Sequence, residues 1–122
     1  MSQFYNYFKE NMKAMHLSAP EEFFSTQEKA LGAALSITKA IYMFGPRVTV
    51  GELIGAGILS EKLYIAVNMG AAYYLGAVIG SIAVATGRSI SGGVTIADVL
   101  FVANEHNLNR PWLPDAIASG GW

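Results

Sequence analysis

Tyr74 to Gly87 reads YLGAVIGSIAVATG, and earlier in the chain Ala30 to Ile41 reads ALGAALSITKAI. Both stretches write Leu-Gly-Ala followed by apolar residues, and the match extends beyond them. Val48-Thr49-Val50-Gly51-Glu52-Leu53-Ile54 lines up with Val94-Thr95-Ile96-Ala97-Asp98-Val99-Leu100. The offset is 44 residues in the first match (30 to 74) and 46 in the second (48 to 94). Each unit is a long helix rich in small residues, a glycine-containing turn, a Thr-x-x-acid cap and a shorter apolar helix. The chain therefore reads as two copies of one helical hairpin, over about residues 30–59 and 74–106, each covering the apolar face its partner cannot bury.

The hairpins sit in a single domain spanning 1–122, with segments 25–59 and 60–106 for the two units. Residues 1–17 form an amphipathic helix. Phe4, Phe8, Met12 and Met15 recur at spacings of four and three, while Lys9, Glu10 and Lys13 face elsewhere. Ser25 to Glu28 reads as a capping box opening the first hairpin, and Gly45-Pro46 stops its long helix. Thr49 to Glu52 and Thr95 to Asp98 are two further start signals, the second following the loop Ser89 to Gly93. Residues 107–122 hold two prolines and end in Ser-Gly-Gly-Trp, which reads as an irregular strap. No segment alternates strictly as a strand does, so the fold class is all-α.

Composition narrows the function. The chain is 52% hydrophobic and 14% charged, with a formal net charge of −1 and no cysteine. Without a basic patch to displace counterions, nucleic acid is not an expected partner. The charged N-terminus is not a secretory signal peptide. His16 and His106 lie apart, with no ligand spacing around them, and no serine sits in a nucleophile elbow. No catalytic residue, metal or cofactor is expected, and the protein does not read as an enzyme.

Leu63 to Gly87 carries no charge. As one helix rising 1.5 Å per residue, it would cross a hydrocarbon core of about 30 Å. Within it Asn68, Ala72, Gly76 and Gly80 fall at four-residue intervals, a nearly bare stripe suited to close helix packing or oligomerisation, with Gly32 as the equivalent in the first unit. Were the run a span, the lysines and arginines before it would hold the N-terminus in the cytoplasm. Trp112, Phe4 and Phe8 are candidate anchors for a partner or a membrane interface.

Two functions follow. The first is a small membrane-active, pore-forming bacterial toxin or effector-like protein that inserts or oligomerises through the glycine-rich helix, with the lipid bilayer or a second copy as partner. The alternative is a soluble all-α interaction module, of adaptor or immunity type, that binds a protein and does no chemistry. Low charge and the uncharged run favour membrane association over the cytoplasm. Lys39 and Glu52, which interrupt the other apolar helices, favour the alternative.

Overall fold

The computed structural model describes residues 3–45, 47–59, 69–87, 96–108 and 110–114, with the side chains of 96–98 excepted. These residues form a small all-α domain of α1 (Gln3–Ala14), α2 (Glu21–Phe24), α3 (Gln27–Phe44), α4 (Val50–Gly55), α5 (Ala71–Ala85) and α6 (Ile96–Glu105). No strand occurs among them; the single β-bridge joins Thr49 to Gly70.

The centre is α5. It contains no charged residue, and everything from Ala71 to Ala83 except Tyr73 is buried. A helix that is apolar all round must be covered all round. α1, α3 and α6 pack along it and α4 touches it. Each covering helix supplies a narrower apolar strip. α1 brings Tyr5, Phe8 and Met12, and α3 brings Ala30, Ala34, Ile37 and Ile41.

This arrangement corrects the reading of Leu63 to Gly87 as one helix. α5 begins only at Ala71, and Gly70 before it is extended, with φ −62° and ψ 136°. Two backbone bonds hold the break: Val50 N–H donates to the Met69 carbonyl and Ala71 N–H to the Val48 carbonyl, each at 2.8 Å. The helix that remains is about 22 Å long at 1.5 Å per residue. No helix among the described residues is long and apolar enough to cross a membrane.

α1 packs on its own protein. Phe8 is fully buried, with its ring 4.7 Å from that of Phe24 and 5.8 Å from that of half-buried Phe4. Phe8 is thus a core residue and not an exposed anchor, because the aromatic stripe is satisfied internally. The Asn11 amide donates to the Ser81 hydroxyl at 2.9 Å, fixing the register of α1 on α5, and the Tyr5 hydroxyl donates to the Ala19 carbonyl at 2.7 Å.

The helix ends follow local chemistry. Thr49 and Glu52 form a complete capping box: the Glu52 N–H donates to the Thr49 hydroxyl and the Thr49 N–H to the Glu52 carboxylate, both at 3.1 Å. α3 starts one residue later than expected. Thr26 caps it by accepting from the Lys29 N–H, while Ser25 closes α2 with its N–H on the Glu21 carbonyl. Gly45 ends α3 at φ 96° and ψ 158°, a conformation open to glycine alone.

α1 and α6 both finish in a Schellman turn. Leu17 N–H bonds the Met12 carbonyl and Leu108 N–H the Ala103 carbonyl, with His16 and Asn107 at positive φ and both leucines buried. After α6 the strap folds back on the bundle, with Leu113 buried and Trp112 packed partly buried against the core. The cap at Thr95, the loop Ser89 to Gly93 and the tail from residue 115 lie outside the described residues.

Two stability changes are expected. Phe8→Ala should lower the unfolding free energy in urea by about 3–5 kcal/mol, the usual range for emptying a buried aromatic site. His16→Gly should raise it by about 1 kcal/mol, because glycine takes the left-handed turn without Cβ strain.

Candidate functional site

The glycine-rich stripe lies inside the fold. Ala72, Gly76 and Gly80 are all buried on α5, so in this structure they present no free surface to a second copy; Asn68 lies outside the described residues. Gly32, their equivalent in the first unit, is exposed on α3, and a Cβ built on it would meet nothing within 4 Å. The contrast has a simple cause. α5 is surrounded, whereas α3 is covered on one side only. Of the three candidate anchors, Phe8 is core, and Phe4 and Trp112 are partly buried against it.

The open side of α3 carries what the sequence reading missed. Leu35, Tyr42, Met43 and Phe44 are all exposed, Tyr42 by 83% and Met43 by 74%. On a helix, Gly32, Leu35, Lys39, Tyr42 and Met43 form one strip, opposite the buried strip of Ala30, Ala34, Ile37 and Ile41. Grooves flank both ends of this strip. One is lined by Thr38, Lys39, Tyr42, Met43 and Arg110, the other by Leu31, Gly32, Leu35, His106 and Leu108. The turn after α6 and the strap therefore border α3. Large apolar side chains gathered on one exposed face, rather than scattered singly, mark contact surfaces. The spacing that reveals the strip was present in Ile-Tyr-Met-Phe, but it reads equally as the end of a core helix.

A second feature is a partly open apolar pocket, with Ser36 and Ile58 exposed at its mouth. Between α2, α3, the turn after α4 and α5 lies a cavity of about 140 Å³, walled by Phe23, Phe24, Ala33, Ser36, Ile37, Ile58, Leu59 and Tyr74. Tyr74 is 1% exposed, and its hydroxyl has no hydrogen-bond partner among the described residues. Burial away from water raises its pKa well above the ordinary value of 10, so the phenol stays neutral throughout the physiological range. A buried hydroxyl left unpaired costs about 1–3 kcal/mol.

Among the described residues no three His, Asp or Glu side chains gather where they could hold a metal ion. His106 stands at the end of α6 with its Nε2 3.6 Å from a Glu105 carboxylate oxygen, and His16 is exposed at the end of α1. No family model, curated protein or solved structure matches the chain.

Tyr74→Phe keeps the ring and removes the unpaired hydroxyl, so it should raise the unfolding free energy at pH 7 by about 1 kcal/mol. The buried phenol holds its proton more tightly than the same group in the unfolded chain. Its contribution is therefore complete below about pH 10 and declines as pH rises beyond that. Tyr5 is shifted the same way, by burial first and then by the nearby Glu21 carboxylate. Unfolding curves between pH 9 and 11.5 should show wild type losing stability with pH more steeply than Tyr74→Phe.

Proposed function

We propose that the protein is a non-catalytic interaction module that binds a partner protein through the outer face of α3. The observation that carries this reading is the pair Tyr42 and Met43, nearly bare to solvent at the end of a helix whose opposite side is locked into the core. Aromatic residues and methionine are enriched at protein contact surfaces, and a surface on a well-anchored helix is already ordered before binding. The neighbouring charge suggests the partner's chemistry. Lys39 lies exposed in the middle of the strip, between Leu35 and the Tyr42–Met43 pair. An amphipathic partner segment bearing apolar side chains and a carboxylate opposite Lys39 fits this pattern.

The membrane-active reading, the first of the two functions expected from the sequence, drew its strength from a helix of span length. With the helix starting at Ala71, the apolarity of α5 has a sufficient cause in its burial. Exposed apolar residues beside cations would also suit a lipid interface, so the test includes vesicles.

A photo-crosslinking amino acid placed at position 42 should give one discrete adduct with another protein in the cells that make this chain. Its yield should fall when Met43→Asp is added and when salt is raised, with the far-UV spectrum and unfolding midpoint of the variant unchanged. An adduct of twice the chain mass, dye release from anionic vesicles, or no adduct at all would each overturn the proposal.

A further inference from the structure

The outer face of α3 also records the shape of what meets it. Gly32, Leu35, Lys39 and Tyr42 follow one another at spacings of three, four and three, and all four are exposed. That rhythm averages about 3.5 residues, the repeat along which a second helix stays in contact with the first when the two cross at a shallow angle. Gly32 is the unexpected member of the row. It stands inside an 18-residue helix, where glycine is less favourable than alanine, and its backbone does not take the positive φ found at Gly45. A Cβ built on it meets nothing within 4 Å among the described residues. The bare position lies in the groove between Leu31 and Leu35 on α3 and His106 and Leu108 from the turn after α6. Leu31, Gly32 and Leu35 are three corners of a hole of the kind that takes one side chain of a facing helix, and the missing Cβ deepens it.

We propose that the partner supplies an amphipathic helix that lies along α3 and inserts one large apolar side chain over Gly32, which makes Gly32 a specificity-determining position. Leu35 and Tyr42 pack against apolar residues further along the same helix, and Lys39 between them meets its carboxylate. The row from Gly32 to Met43 is about 16 Å long at 1.5 Å per residue, so about three turns of partner helix cover it. Such a helix presupposes that the α3 face is the protein-binding surface, and gives that surface its partner's secondary structure and point of closest approach.

The photo-crosslinking amino acid is placed in turn at positions 35 and 42 of the whole chain, in the cells that make it, and the labelled partner residues are mapped by mass spectrometry. The two positions stand about 10 Å apart along α3, so a partner helix should be labelled at two points about seven residues apart, and an extended segment about three apart. Gly32→Leu fills the hole and should lower the adduct yield from position 42 about tenfold, the effect of overpacking a fitted contact, with an unfolding midpoint no lower than wild type. Gly32→Ala should lower the yield less and raise the midpoint, since alanine favours the helix. A role of Gly32 in folding alone would move stability and yield in the same direction. If Gly32→Leu fails to fold, Gly32→Ala decides. Labels about three residues apart, or a folded Gly32 variant with wild-type yield, would overturn the partner helix and leave the α3 surface standing. No adduct with Gly32 in place would overturn both.

Discussion

A helix with no charged side chain sits at the centre of this protein, and its need for cover on every side determines the rest. α5 cannot leave any face toward water without exposing Leu, Ile, Val or Ala side chains, all of which favour burial. The covering helices therefore need only narrow apolar strips, and each spends its remaining surface on water. Thirteen glycines in 122 residues would otherwise weaken so helical a chain. Here two of them, Gly76 and Gly80, stand within the buried helix, and others close turns at Gly45 and Gly57, where φ is positive.

α3 connects the core to the pocket and to the outer binding face. One strip of it packs on α5, a second reaches the pocket beside Tyr74 through Ala33, Ser36 and Ile37, and a third carries Leu35, Tyr42 and Met43 outward. A helix occupied on one side and open on the other presents its outward residues in fixed register. The exposed strip is thus held by the same burial that keeps the cavity walls in place.

Much of this architecture was legible locally. The Phe4, Phe8 and Met12 spacing gave α1 and its buried side, because a helical stripe is a property of neighbouring residues. Thr49 with Glu52, and Gly45 after Phe44, marked ends whose chemistry is complete within four residues. The break before Ala71 was not legible. It comes from backbone pairing with Val48 and Val50, far back in the chain, and neither a proline nor a charge announces it. Choosing Ser25 over Thr26 as the cap failed for a smaller reason: two adjacent hydroxyls qualify, and the extended backbone at Thr26 decides. Leu53 and Val99, which the repeat aligns, are both buried. The repeat could not predict that Gly32 and Gly76 would meet opposite environments, since position in the bundle is not written in a local match. The cavity was beyond reach for the same reason, its walls being drawn from four separate segments.

The backbone clasp between Val48–Val50 and Met69–Ala71 also bears on how the chain tolerates change. Its two bonds join main-chain groups only, so they ask nothing of the side chains at those positions beyond an amide hydrogen at 50 and 71. The pairing joins positions 48–50 to positions 69–71 across the chain, and the entropic cost of bringing two such distant points together rises only logarithmically with their separation, by about 0.6 kcal/mol for each doubling. The clasp is therefore sensitive to a proline at 50 or 71, which would remove one of its two donors, and tolerant of most other substitutions there.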